Sequence, residues 1–225
     1  MAGDVYMQYG CGHSAPPGWR SFDASPTLVL QRLPIVGSLA RRARSPFPDQ
    51  VEHGDILSGL PLGPASCRGI YASHVLEHLA LIDARKALRN THALLAPGGV
   101  FRLVVPDLRS YARRYLETND HKASHQFMED TCLGSYSRAR GLKGMVLEFL
   151  GNSRHLWMWD LPSMQYELQA AGFVDIRACS AFDSEDPRFA EVEDPGRFVD
   201  ALAMQCRRAA NNATAQAHAH AHASL

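Results

Sequence analysis

Apolar residues along this chain fall into short runs punctuated by glycine, proline and polar clusters, and the runs alternate between a strand-like and a helix-like period. Val5–Tyr9, Trp19–Asp23, Val51–His53 and Gly69–Ser73 read as strands. Val100–Val105 is almost continuously apolar between Gly99 and Pro106, the pattern of a strand covered on both faces. Between Val75 and Leu95 the apolar positions Leu76, Leu79, Ile82, Leu88 and Leu95 approximate a helical repeat, and Pro97-Gly98-Gly99 reads as the turn that stops it. Ser25-Pro26 opens a second helix that runs to about Ala43 with a break near Pro34. Residues 107–150 read as interrupted helix. A further helix, from about Pro162 to Ala171, ends at Gly172, with Asp160 or Ser163 able to cap its start. Phe173–Cys179 and Val199–Cys206 make a final strand pair.

Strands alternating with helices predict an α/β domain whose mostly parallel sheet has helices on both faces. In such sheets ligands bind beyond the carboxyl ends of the strands. Here those ends are Gly10-Cys11-Gly12, Asp23, Asp55, Ser73-His74 and Pro106-Asp107, which are also rich in glycine and polar groups. Residues 1–206 are expected to form one domain, with 107–160 as a substrate-side insertion. The Ala/His-rich stretch 207–225 lacks the apolar residues of a core and is expected to be a disordered tail.

Charge changes this picture little. The 23 basic and 23 acidic residues cancel, which argues against a nucleic-acid partner, since such proteins carry a basic excess. The cancellation is uneven: residues 183–200 hold seven acids against two arginines, and residues 101–143 hold eight bases against five acids. If the two segments flank a pocket, their local charge would select the substrate. Five cysteines without CxxC spacing suggest neither disulfides nor a zinc site. The sequence shows no apolar run long enough to span a membrane and no signal peptide, so a cytoplasmic location is expected.

The motifs Tyr9-Gly10-Cys11-Gly12, Gly18-Trp19-Arg20-Ser21-Phe22-Asp23, Gly54-Asp55-Ile56, Ser73-His74-Val75-Leu76-Glu77-His78-Leu79 and Leu95-Ala96-Pro97-Gly98-Gly99 together resemble the class I S-adenosylmethionine-dependent methyltransferases, and more narrowly their type-11-like branch. The resemblance spans about residues 4–206. It implies a Rossmann-like seven-stranded sheet with an antiparallel last strand, and S-adenosylmethionine as cofactor. It also implies roles. Gly10, Cys11 and Gly12 would bring bare backbone to the methionine end. Asp23 would accept hydrogen bonds from the ribose hydroxyls. Asp55 and Ile56 would hold the adenine, and Ser73 and His74 would face the sulfonium. Two departures stand out: only 13 positions separate Gly10 from Asp23, and Pro16-Pro17-Gly18 occupies the place of a helix, so this crossover is expected to be non-helical.

Methyl transfer from a sulfonium depends on near-attack placement, with a base needed where the acceptor is a hydroxyl. His155, between Arg154 and the aromatic run Trp157–Trp159, and Asp107, just past the fifth strand, are the catalytic candidates. Trp157 and Trp159 would either stack on a ring substrate or pack in the core. Arg109, Arg113 and Arg114 would either meet an anionic group or form a solvated helix face. The segment His74–His78 also spells H-x-x-E-H, a zinc-site pattern when both histidines share a helix face. His74 directly follows a strand, so no metal is expected. The segment after the fourth strand is not the Asn/Asp-Pro-Pro-Tyr/Phe type of nucleobase-amine enzymes. A small-molecule or saccharide-linked acceptor, methylated on oxygen, is the leading expectation. A non-catalytic cofactor-binding regulatory module on the same fold is the alternative. A nicotinamide oxidoreductase is disfavoured by the lack of a full G-x-G-x-x-G.

Overall fold

The computed structural model describes residues 4–33, 46–135 and 154–211. The helix expected beyond Leu33, the later part of the 107–150 stretch and the alternating histidines of the tail lie outside the described residues.

Seven strands form one sheet in the order β3-β2-β1-β4-β5-β7-β6. They are β1 (Val5–Tyr9), β2 (Trp19–Asp23), β3 (Val51–His53), β4 (Cys67–Ser73), β5 (Leu95–Pro106), β6 (Phe173–Ala178) and β7 (Ala201–Arg208). Pairs from β3 through β5 are parallel, and β7 inserts antiparallel between β5 and β6. This is the Rossmann-like α/β sheet with an antiparallel last strand that the resemblance implies. Its last strand runs to Arg208, two residues past the expected domain edge. Five helices accompany the strands among the described residues: α1 (Pro26–Arg32), α2 (Leu81–Leu94), α3 (Leu108–Leu116), α4 (Ala123–Asp130) and α5 (Leu161–Ala170).

Strand alternation sorts the core into two layers. Met7, Tyr9, Ile70, Ala72, Phe101, Leu103 and Val105 face one side, where Ala84, Ala87 and Leu88 of α2 and Met164 and Leu168 of α5 bury against them. Arg85 of α2 donates to both oxygens of Glu167 on α5, at 2.7–3.1 Å, and so joins the two covering helices. Tyr6, Tyr71, Val100 and Val104 face the other side and pack on Phe189 and Val192, from the 3-10 turn Pro187–Glu191 and the residue after it. At that side's edge Leu28 of α1 covers Val51 and Cys11.

Two expected elements come out differently. The helix read over Val75–Leu95 is split into a single 3-10 turn, Leu76–His78, and α2 from Leu81, with Leu79 and Ala80 extended between them. Ile82, placed on the apolar face by the periodicity, is 76% exposed. Pro97-Gly98-Gly99 does not stop the helix, which has already ended at Leu94; it lies inside β5. There the register against β4 slips between Cys67 and Gly69, a bulge that the left-handed Gly98 (φ 78°) accommodates.

The order of connections reverses between β1, which leads outward to β2, and β4, which leads the other way to β5. That gap between β1 and β4 is the switch point at which open α/β sheets bind ligands.

Candidate active site

The switch point is lined from one side by the loop after β1. Gly10 has φ 61°, and a Cβ there would stand 2.3 Å from Cγ2 of Val75, across the gap after β4. Conformation and packing therefore both require glycine. Gly12 has φ 53°, and a Cβ there would meet nothing within 4 Å, so the loop faces open space at this point. The whole β1–β2 connection is non-helical, as expected. In place of a helix, Gln8 Nε2 donates to the Ser14 carbonyl and to Ser21 Oγ, both at 2.9 Å, and holds the loop down on the sheet. The Cys11 side chain turns away into the pocket under Leu28 and Val51. Burial, helped by the Asp23 carboxylate, pushes its thiol up to about 12. Of Cys11, only the backbone is presented to the loop.

Asp23, at the end of β2, is 9% exposed. Its Oδ2 accepts the Gly12 amide at 2.9 Å and its Oδ1 accepts the Ser25 amide at 2.8 Å. The cap of α1 is Ser25, whose side chain accepts from Thr27 N–H, so Asp23 is not consumed as a helix cap. Each Asp23 oxygen retains a second lone pair. Asp55 is more committed to its own turn: Oδ1 accepts Leu57 N–H at 2.8 Å and Oδ2 accepts the Ser58 hydroxyl at 3.1 Å. Ile56 is buried in the main core, and its carbonyl accepts Asn90 Nδ2 at 2.7 Å.

Across the gap, Ser73 is buried at the end of β4 and His74 begins the following loop with φ 55°. A left-handed conformation is uncommon outside glycine and persists where surrounding bonds fix it. Here the His74 N–H donates to the Val104 carbonyl at 2.8 Å, and Nε2 donates to the Arg197 carbonyl at 2.9 Å. Nδ1 stands 3.1 Å from Glu77 Oε1. Burial works to lower the His74 pKa, but the Glu77 carboxylate and the Arg197 carbonyl outweigh it and hold it above the usual histidine value.

His74 and His78 do not share a helix face. Instead, the turn Leu76–His78 brings Glu77 and His78 towards His155, which arrives from far along the chain. The Glu77 carbonyl accepts the amides of Leu156 (2.7 Å) and Trp157 (3.1 Å), and His78 Nδ1 donates to the Arg154 carbonyl at 2.9 Å. The His78 and His155 rings meet edge to face at 5.0 Å. Burial holds the His155 pKa below the usual value, with the neighbouring His78 acting in the same direction and Glu77 opposing it. The candidate His155 thus joins two residues, Glu77 and His78, that the expected site omitted. Their sequence signals are the H-x-x-E-H spelling and their place in the Ser73–Leu79 motif.

Asp107 caps α3 by accepting Arg109 N–H at 3.1 Å, and its backbone pairs with Trp159 beside the same 154–160 segment. Trp159 is buried in the main core, whereas Trp157 is 41% exposed. Arg109 pairs with Asp160 (3.0 Å), and Arg114 reaches Asp130 (3.1 Å) and Asp200. The acidic stretch is similarly engaged. Asp183 and Glu193 meet the buried Arg102, Asp183 also meets Arg177, Glu185 meets Arg207, and Asp186 accepts the Tyr6 hydroxyl at 2.5 Å. Much of its charge is spent on holding β5–β7 and their covering turns, and Glu185 and Asp186 also line a cavity with Arg68 and Arg207.

A doubly wound sheet in this strand order, with a glycine loop after β1 beside the switch point and an acid at the end of β2, defines a class I methyltransferase fold. Residues 22–178 match the family model described as a methyltransferase domain. The chain belongs to that family, and it is an S-adenosylmethionine-dependent methyltransferase. A comparison with curated proteins finds no match. Similar solved structures include a chain of the complex between the Haloferax volcanii Trm112 methyltransferase activator and a methyltransferase (16% identity, 92% of this chain and 84% of that chain covered, TM-score 0.49). A methyltransferase from Thermotoga maritima is 14% identical over 92% of this chain and 84% of that chain (TM-score 0.48). Another from Archaeoglobus fulgidus is 12% identical over 92% and 86% (TM-score 0.49). Among the described residues, no helix is long and apolar enough to cross a membrane.

Proposed function

We propose that this methyltransferase acts on an oxygen of a small-molecule or saccharide-linked acceptor. Gly10, the Cys11 backbone and Gly12 would hold the methionine end of the cofactor, Asp23 the ribose, Asp55 and Ile56 the adenine, and Ser73 and His74 the region of the sulfur. The residues suit that group: Gly12 opens onto free space, and the Asp23 oxygens each keep a lone pair for a hydroxyl donor. When bound, S-adenosylmethionine supplies an electrophilic methyl on a good leaving group.

The observation that carries the oxygen assignment is the Glu77–His78–His155 cluster directly after β4. A hydroxyl must lose a proton to become a competent nucleophile, and a base is effective when it is neutral and within reach. His155 has a lowered pKa and a buried Nδ1 without a hydrogen-bond partner. It is the group proposed to receive the acceptor's proton, with the Asp107 carboxylate beyond β5 as the second acceptor of protons. The half-exposed Trp157 offers a ring face to the substrate, and Trp159 serves the core.

Calorimetry with S-adenosylmethionine and S-adenosylhomocysteine tests the cofactor assignment; absence of binding at millimolar ligand would overturn it. A panel of hydroxyl, amine and carbon acceptors, scored by release of S-adenosylhomocysteine, tests the acceptor. Turnover on hydroxyl acceptors that falls at least about a hundredfold in His155→Ala supports the reading. Turnover confined to nitrogen or carbon acceptors contradicts it.

A further inference from the structure

Glu77, His78 and His155 each bring a potential ligand atom to within 4.8 Å of the others. Glu77 has no solvent exposure, and neither of its oxygens has a partner in hydrogen-bond geometry, although His74 Nδ1 lies at ion-pair distance from Oε1. A wholly buried carboxylate of this kind is costly unless a positive charge compensates it. His74 Nδ1 supplies part of that compensation at Oε1, and the His78 and His155 imidazoles stand beside the same carboxylate. His78 spends Nδ1–H on the Arg154 carbonyl, which leaves the Nε2 lone pair. His155 buries its Nδ1 without a hydrogen-bond partner, which leaves that nitrogen available to a ligand. A histidine whose one ring N–H is fixed on a backbone carbonyl, with the other nitrogen presented to a carboxylate, has the orientation of a metal ligand.

We infer that Glu77, His78 and His155 bind a divalent transition-metal ion. Two imidazoles and one carboxylate suit zinc, manganese or iron, and are a poor match for magnesium or calcium, which prefer oxygen. Three protein ligands leave coordination positions open, as in catalytic metal sites. Glu77 lies four residues past the end of β4, and Val75, between them, packs on Gly10 of the proposed cofactor loop. The open positions therefore suit oxygens of the acceptor. A bound ion lowers the pKa of a hydroxyl it holds. In the ion-bound form His155 is a ligand, and the hydroxyl's proton passes to solvent without it. This catalytic task rests on the oxygen-methylation reading, whereas the binding does not.

The test uses the full chain with His218, His220 and His222 replaced by alanine, since the tail histidines are themselves potential zinc ligands. After stripping with EDTA, the protein is dialysed against zinc and bound metal is measured by inductively coupled plasma mass spectrometry. Cobalt absorption reports the ligand set. One zinc per chain is expected. His78→Ala and Glu77→Gln should weaken it at least about a hundredfold, because even outer-shell partners of a metal are worth 10–100-fold. The surface variant His125→Ala should bind as the parent does. If Glu77→Gln fails to fold by circular dichroism, His78→Ala decides. No stoichiometric zinc, or zinc unmoved by His78→Ala, overturns the site. Stoichiometric zinc that changes no hydroxyl-acceptor turnover supports the site and overturns only its catalytic task.

Discussion

The backbone N–H of Gly12 donates to Oδ2 of Asp23 at 2.9 Å, so the loop after β1 and the end of β2 are fastened to each other at the switch point. Replacing Asp23 removes both this fastening and the proposed ribose contact. Hydrogen bonds to a charged group contribute about 1.5–3 kcal/mol each. Asp23→Ala should therefore weaken S-adenosylhomocysteine binding by at least about tenfold, measured by calorimetry. Asp23→Asn should fall between, since an amide nitrogen turned towards one of the two backbone N–H groups cannot accept from it.

Gly10 faces Val75 in the same gap. Gly10→Ala should destabilise the fold for two separable reasons, a left-handed φ worth about 1–2 kcal/mol and the close approach to the Val75 methyl. The second reason disappears in Gly10→Ala/Val75→Ala, and the first does not. Thermal melts of the two singles and the double should show the double more stable than additivity predicts.

The strands were legible because their apolar runs are short, rich in β-branched and aromatic residues, and bounded by glycine or proline; β1, β2 and β3 match their expected limits residue for residue. The split at Leu79-Ala80 was not legible. Leu76 and Leu79 fit a helical repeat, and what fixes a 3-10 turn there is a pair of amides, Leu156 and Trp157, about 80 residues away. The same long-range contact explains the site. His155 stood out by its aromatic neighbours, but only the folded chain sets it beside Glu77 and His78. The turn residues of Pro97-Gly98-Gly99 predict a stop, whereas a bulge within a strand uses the same residues.

Arg102 is 1% exposed on β5 and is bonded by Glu193 (2.7 Å), Gln205 (2.7 Å), Asp183 (2.9 Å) and the Ser180 carbonyl (2.8 Å). Arg102→Met should cost about 3–5 kcal/mol, because it leaves the buried Glu193 carboxylate without its counter-charge. Arg102→Met/Glu193→Gln should recover part of that loss, as measured by urea denaturation.

Asp183 gives the same network a pH dependence. Partial burial pushes its carboxyl up, but hydrogen bonds from Arg177, the Ser180 amide and Arg102 outweigh it and hold the pKa at about 2. The unfolded value is about 3.9, so this group's contribution is fully present above pH 4 and is lost as pH falls through about 2. Unfolding free energies measured between pH 6 and pH 2 should fall less steeply in Asp183→Asn than in the parent.

Cys11 lies in the proposed cofactor loop, but its side chain is buried under Leu28 and its thiol titrates near 12. In the folded protein at pH 8 it should resist alkylation. Cys11→Ala should leave S-adenosylhomocysteine affinity unchanged while lowering the melting temperature.

The placement of β7 has a consequence for how the chain is made. Of all the strands, β6 pairs only with β7, and β7 is the last strand of the described chain. While the polypeptide emerges from the ribosome, β6 therefore has nothing to zip onto, and the flank of β5 stays bare until residues 201–208 arrive and fill the slot between them. A released chain that ends before Ala201 would display two open edges at once, the form of a sheet most prone to join a neighbour. Truncation just short of β7 should thus raise chaperone dependence above that of the full chain.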